Sequence, residues 1–430
     1  MASYSETLER IYNLHGGTID LRLDRVAGAL KLFGQPETKF PSIHIAGTNG
    51  KGSTSAMLQR MLSLAGYRAA LYTSPHLVSF TERIKIGDRE ITEAEVVATA
   101  DEIWQRTAAA GIALTYFEVV TVMAFIYFAR QPTDIAVIEV GLGGRFDATN
   151  VITPLVSLIT TISKDHEAFL GSDLLSIAGE KAGIIKPGVP VVCGAVGAEV
   201  QAVFRRSAQE RGSKAHFFGE DFNFSLKNEG FFDYTGLKRH YSDLSLGLRG
   251  RHQKYNAAVA LAALEVVQDR FPVSEESVRA GLATVRWPGR LEVMLERPTV
   301  IIDGAHNGEG VLALVEELKH YRGRKITLLF AAMADKDWPL MLARLTEVVA
   351  EVMFTKVAME RSAEPDDLAR SMAGRLPSRS RADSRTALRL LIDEAAAADV
   401  IVVAGSLYLL GEIRPMLQEI AAERGRLANR

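Results

Sequence analysis

Ile43-His44-Ile45-Ala46-Gly47-Thr48-Asn49-Gly50-Lys51-Gly52-Ser53-Thr54 is the stretch from which the rest of the chain can be read. Its first four residues have the apolar, partly β-branched character of a buried strand. They run directly into a glycine-rich turn and a helix-compatible segment, Ser53–Ala65. Glycines let a backbone wrap closely around a polyphosphate with its N–H groups turned inward, and a helix N-terminus adds partial positive charge. In that frame Lys51 reaches the β and γ oxygens and Ser53 offers its hydroxyl to Mg²⁺. The pattern departs from a strict Walker motif: Ile45 stands where that motif needs Gly, and Gly52 where it needs Ser or Thr. A glycine turn without a ligand is the competing reading. The order strand, Gly, Lys, Ser, helix favours nucleotide binding and leaves the reaction open.

Outward from this stretch, short β-branched runs alternate with longer amphipathic segments, as in a parallel sheet covered by helices. Strands are predicted at Ser42–Ala46, Arg68–Tyr72, Ile135–Val140, Leu155–Thr161 and Val189–Cys193, and helices near Glu93–Ala110, Phe117–Ala129 and Leu174–Ala182. After Trp287-Pro288-Gly289-Arg290 a second series begins, with strands at Thr299–Ile302, Ile326–Phe330, Glu351–Phe354 and Asp399–Ala404. This gives an α/β chain of two domains, residues 1–290 and 291–430. The Phe, Tyr and Ser alternation of 217–250 predicts hairpins on the edge of the first domain.

Composition narrows the function. The chain has 430 residues, enough for two substantial cores at roughly 100–200 residues each. With 50 Lys and Arg against 52 Asp and Glu, there is no global attraction to nucleic acid, so an anionic ligand needs a local site. One cysteine, Cys193, allows no internal disulfide. Val119–Ala129 and Val400–Leu410 are too short to cross a bilayer, which takes about 20 residues. A cytoplasmic protein without a membrane partner is expected.

Three further groups stand at predicted strand or helix ends. Glu139 closes a buried strand, where a carboxylate can hold Mg²⁺ directly or through water; a solvated strand-end Glu is the alternative. His166 follows the next strand and is a plausible second metal ligand, though a lone His is as often structural. Lys181 lies near a helix end and, on composition alone, reads as a solvated lysine.

Ordered motifs then carry a resemblance. Thr-Asn-Gly-Lys-Gly-Ser (48–53), Thr-Ser-Pro-His-Leu (73–77), Thr-Glu-Arg-Ile (81–84), Gly-Leu-Gly-Gly-Arg (141–145), Asp165-His166, Glu-Lys-Ala-Gly-Ile-Ile-Lys-Pro-Gly (180–188), His-Gln-x-x-Asn (252–256), Trp-Pro-Gly-Arg-Leu-Glu (287–292), Asp-Gly-Ala-His-Asn (303–307) and Gly-Ser-Leu-Tyr-Leu (405–409) span essentially the whole chain. Together they resemble the folylpolyglutamate synthases and bifunctional dihydrofolate synthases, a branch of the Mur-type ATP-dependent amide ligases. The glycine after Lys51 is itself a trait of that branch. The resemblance implies a P-loop-type, mostly parallel N-terminal sheet with flanking helices and a smaller Rossmann-like C-terminal α/β domain.

It also implies roles. Gly47, Thr48, Asn49, Gly50, Lys51, Gly52 and Ser53 would hold ATP phosphates. Ser53, Ser74, Glu139 and His166 would hold Mg²⁺, at two sites, and Lys181 would be carbamylated. Asn256, Arg290, Asp303 and His306 would contact the nucleotide, which would lie between the domains. Asp20, Leu21, Arg22 and Leu23, then Thr115, Tyr116, Phe117 and Glu118, and Phe146, Asp147 and Ala148 would meet the pterin-bearing substrate. Lys51, Glu139, His166, Lys181 and Arg290 would be catalytic. The implied reaction joins dihydropteroate or a reduced folate to L-glutamate through an acyl phosphate made from ATP, in a monomeric enzyme. Extension of the glutamate tail alone, or another Mur-type amino-acid ligase, are the alternatives. Arg22 stands where a small residue is expected, and Gly308 replaces a proline.

Overall fold

The computed structural model describes residues 2–16, 22–165, 171, 173–227 and 230–428; Asp20, Leu21 and His166 lie outside the described residues. The chain forms two compact units, Met1–Gly247 with Gln253–Arg286, and Leu248–His252 with Trp287–Arg430.

The first unit contains strands β1 (Ser42–Ala46), β2 (Ala69–Tyr72), β3 (Ile84–Ile86), β4 (Arg89–Glu90), β5 (Ile135–Glu139), β6 (Val156–Ile159), β7 (Val191–Cys193), β8 (Ala215–Phe217), β9 (Asn223–Leu226), β10 (Phe232–Thr235) and β11 (His240–Leu244). Among the described residues β1 to β8 make an eight-stranded sheet ordered β4-β3-β2-β5-β1-β6-β7-β8. All neighbours are parallel except the β2-β3-β4 meander. β1, β5 and β6 are buried at every position, which is why they read as continuous apolar runs rather than alternating ones. From β1 the chain leaves toward β2 on one side, and from β5 it crosses to β6 on the other. The carboxyl end of β1 is therefore the switch point where open α/β sheets collect ligands.

The helix Lys51–Leu64 begins two residues earlier than the sequence predicts, because Gly50 takes a left-handed conformation (φ 86°) and turns the chain directly into it. A helix the sequence reading did not place, Glu275–Thr284, is capped by Ser274. It packs on Lys51–Leu64 so closely that a Cβ at Gly281 would lie 2.6 Å from Met61 Cγ. The apolar run near 119–129 is the helix Tyr116–Arg130, buried on nearly all sides. Among the described residues no helix is long and apolar enough to cross a membrane.

The 217–250 segment does form hairpins, but β9 to β11 make their own antiparallel sheet instead of extending the large one. After β8 the chain reverses at Gly219 (φ 86°), whose N–H donates to the Phe222 carbonyl at 2.9 Å. The small sheet is tied to the helix Arg251–Val267 by buried Glu265, which accepts from Tyr234 Oη at 2.7 Å, Leu237 N at 3.2 Å and the Lys238 N–H.

The second unit contains β12 (Glu292–Glu296), β13 (Thr299–Ile302), β14 (Ile326–Phe330), β15 (Glu351–Phe354), β16 (Ser378–Ser380) and β17 (Val400–Ala404). Their order is β12-β13-β17-β14-β15-β16, with β12 antiparallel at one edge and the rest parallel. Helices Gly308–Leu318, Trp338–Leu345, Ser384–Glu394 and Leu407–Ala428 accompany this sheet.

Glu265→Ala strips the acceptor from three donors at once and is expected to cost about 3 kcal/mol in urea unfolding, against about 1 kcal/mol for Tyr234→Phe, which removes one hydrogen bond. Equal losses in the two variants would show that the carboxylate does not anchor the small sheet.

Candidate active site

The turn after β1 is held from both sides. Toward β6, Thr48 N donates to Thr161 O (2.7 Å), Asn49 N to Thr161 Oγ1 (3.1 Å), and Thr160 Oγ1 to Asn49 O (2.7 Å). Thr48 Oγ1 donates to the Ser163 carbonyl at 3.1 Å. The clearances demand glycine: a Cβ at Gly47 (φ 146°) would lie 1.8 Å from Thr160 Oγ1, and one at Gly50 would lie 2.3 Å from Asn256 Oδ1. Asn256 is buried and donates to Gln253 Oε1 at 3.0 Å, so its amide is pinned against the turn. Ser53 is buried in the first turn of the helix that follows.

Two amines meet at one carbonyl oxygen. Lys51 Nζ donates to Gly47 O at 3.0 Å and to Thr48 O at 3.1 Å, and Lys181 Nζ donates to Gly47 O at 2.9 Å. Lys181 is the last residue of the helix Leu174–Lys181 and is 4% exposed, so the solvated reading does not hold. Burial, with Lys51 beside it, pulls its pKa down to about 7, against the opposing pull of Asp165 and Asp147. A partly neutral amine is what reaction with CO₂ requires. Glu139, 4% exposed, pairs in register with Ile45 of β1 and accepts from Ser74 N at 3.4 Å. The structure therefore brings Glu139, Ser74, Lys181 and the glycine turn to neighbouring strand ends.

The expected substrate segments divide. Thr115 and Glu118 form a capping box, with Glu118 Oε2 accepting from Thr115 N (2.7 Å) and Oγ1 (2.8 Å) while Oε1 pairs with Arg25 at 3.0 Å. Asp147 turns inward, accepting from Leu142 N (2.9 Å) and Thr149 N (3.0 Å), and burial raises its pKa against those bonds. All three side chains hold local backbone in place. Of the other expected residues, Phe117 lies against Gly141, Phe146 and Arg22 are exposed, Leu23 is partly buried, and Tyr116 and Ala148 are buried.

In the second unit Asp303 follows β13 and holds its own loop, accepting from Leu291 N (2.8 Å) and Ala305 N (2.9 Å). Burial raises its pKa, opposed by Arg290 and His306. The Arg290 guanidinium lies so near Gly304 that a Cβ there would be 2.0 Å from Nη1, and a His306 Nδ1–Gly304 O contact of 2.7 Å orients the imidazole. Asn307 caps the next helix through Gly310 N at 2.9 Å. Arg290, Asp303 and His306 thus converge on one loop.

Sequence reasoning gave no role to Thr160 and Thr161, which frame the turn; two adjacent hydroxyl residues closing a buried strand were the available signal. It also passed over Arg83, whose Nε donates to His76 Nδ1 at 2.7 Å.

Family models for the Mur ligase middle domain and the Mur ligase glutamate ligase domain match residues 45–264 and 289–407. The dihydrofolate synthase/folylpolyglutamate synthase of Bacillus subtilis is 35% identical, covering 92% of this chain and 95% of its own. That of Mycobacterium tuberculosis is 38% identical, covering 93% and 90%. E. coli FolC in complex with DHPP and ADP superposes with a TM-score of 0.90 at 32% identity, over 98% of this chain and 99% of its own. The bifunctional enzyme of Yersinia pestis complexed with AMPPNP and Mn ion gives 0.87 at 33%, over 97% and 98%.

Two outcomes follow from this geometry. Gly47→Ala is expected to lower nucleotide affinity in calorimetry at least tenfold, the backbone having to move off Thr160, and to lower the melting temperature as well. Lys181 has a folded pKa of about 7, below its unfolded value near 10.5, so between those values the unfolded chain holds a proton that the folded chain lacks. Stability should therefore rise with pH across that window, by at most about 1.4 kcal/mol per unit. Lys181→Met should flatten the slope in pH-dependent denaturant titrations.

Proposed function

The chain belongs to the folylpolyglutamate synthase and dihydrofolate synthase family of Mur-type ATP-dependent amide ligases, and we propose on that premise that it couples a pterin-bearing carboxylic acid, dihydropteroate or a reduced folate, to the amino group of L-glutamate. The observation that carries this reading is the convergence of Lys51 and Lys181 on Gly47 O beside Glu139 and Ser74. Such a site suits transfer of the ATP γ-phosphoryl group to an acid.

A carboxylate does not condense with an amine in water because its leaving group would be oxide. One carboxylate oxygen first attacks the γ-phosphorus, giving an acyl phosphate and ADP. The glutamate nitrogen then attacks the acyl carbon, loses a proton, and expels phosphate. In this scheme the backbone N–H groups of 47–52 and Lys51 hold the phosphates, and Asn256 braces the turn. Arg290, Asp303 and His306 serve the nucleotide, and Phe117 and Phe146 face the pterin ring.

The residues present suit Mg²⁺, which binds through one or two protein oxygens plus nucleotide phosphates and water. Glu139 and Ser53 are the proposed protein partners, with Ser74 and His166 at a second position. When bound, the ion neutralises charge on the transferred phosphoryl group. Among the described residues no three His, Cys, Asp or Glu side chains group as a cage. Carbamylation of Lys181 would put a further carboxylate beside the turn. We take the enzyme to act as a monomer and to serve both acceptors.

The test is ADP and phosphate release with ATP and glutamate, comparing dihydropteroate, tetrahydrofolate and a cell-wall precursor. Turnover is expected with the first two, and loss of at least about a hundredfold in Lys51→Ala and Glu139→Ala with unchanged melting. Activity with tetrahydrofolate alone would narrow the reading to tail extension. Near-normal turnover in either variant would overturn it.

A further inference from the structure

Arg83 is a buried charged group of the first unit that the scheme above leaves without a task. It is 5% exposed. Its backbone is fixed beside the site: Tyr72 of β2 pairs with Ile84 of β3, and Thr73 N donates to the Arg83 carbonyl at 3.0 Å, one residue before Ser74 reaches Glu139. The guanidinium donates to His76 Nδ1 and lies 5.9 Å from the Phe80 ring centre and 5.7 Å from that of Tyr116.

The carboxylates around it are committed elsewhere. Glu82 accepts from Leu77, Val78 and Ser79 N–H groups at 2.7, 2.9 and 2.8 Å. Glu90 takes Thr81 and Lys85, and Glu118 takes Arg25 and Thr115. Asp147 caps its own loop. Among the described residues Arg83 therefore has no ion-pair partner; its charge meets a neutral imidazole and two ring faces. Burying a cation without an anion is costly, and a neutral acceptor with cation–π contacts offsets only part of that cost. His76 Nδ1 is the acceptor in that bond, so this nitrogen carries no proton. That bond at Nε fixes the plane of the guanidinium.

We propose that Arg83 is a specificity-determining residue that receives the carboxylate of the acid substrate before its phosphorylation, an assignment that rests on the ligase reading above. The supports are its place between Ser74–His76 and Tyr116–Phe117, its burial, and its want of an anion. A guanidinium fork takes both oxygens of a planar carboxylate and discriminates against an uncharged amide of the same shape.

The experiment measures calorimetric binding of pteroic acid and its carboxamide to the full chain, wild type, Arg83→Gln and Arg83→Lys, with KM for ATP and glutamate-dependent ADP formation alongside. The wild type is expected to favour the acid at least about tenfold; Arg83→Gln should bring the two ligands within about twofold, with Arg83→Lys between them and KM for ATP little changed. No acid preference in the wild type, or an unchanged preference in Arg83→Gln, overturns the assignment. If Arg83→Gln does not fold, an Arg83→Lys protein with the full wild-type preference does so instead. Wild-type turnover with unaltered preference in the variants removes only the Arg83 assignment, whereas absent wild-type turnover removes the ligase reading itself.

Discussion

The carbonyl oxygen of Gly47 receives two side-chain amines, and the surrounding structure is arranged to make that possible. Lys51 comes from the helix that follows the turn and Lys181 from a helix 134 residues away in sequence. Two amines at one oxygen repel each other when both are charged, and that repulsion adds to burial, the larger cause, in lowering the pKa of Lys181. A further response available to such a site is an anionic occupant. Every support of the turn, from Thr160 and Thr161 on one flank to Asn256 on the other, keeps that oxygen where both amines reach it.

Much of the remaining acid in the first unit holds backbone geometry. Asp147, Glu118 and Glu82 each hold backbone N–H groups at the start of a turn or helix, a use of carboxylates that satisfies otherwise orphaned donors. Asp303 does the same in the second unit. Glu139 differs in place: it closes β5 beside the glycine turn and accepts from Ser74 N, a residue of the neighbouring strand's end rather than of its own loop.

Legibility in the sequence followed the range of the interaction. Strands buried on both faces announce themselves as continuous apolar runs, and Gly47 and Gly50 stand where the backbone must take positive φ, so the sheet, the turn and the ligand class could be read locally. The β3-β4 hairpin, of three and two residues, is too short to show a period. Lys181 looked like a solvated helical lysine because its burial depends on a carbonyl far away in the chain. Thr115-Tyr-Phe-Glu118 carries the spacing of a capping box, a local signal that the sequence reading did not use. Arg83 belonged to a quoted motif, yet that it has no anionic partner among the described residues is visible only in the folded chain.

Cys193 sits wholly buried in β7, and burial pushes its thiol pKa up to about 12. Because it is the single cysteine of the chain, the native protein offers thiol reagents almost no thiolate at neutral pH. A cysteine introduced on the surface would thus be the sole reactive sulfur, and a fluorophore or spin label could be attached at one chosen position without first removing a native residue.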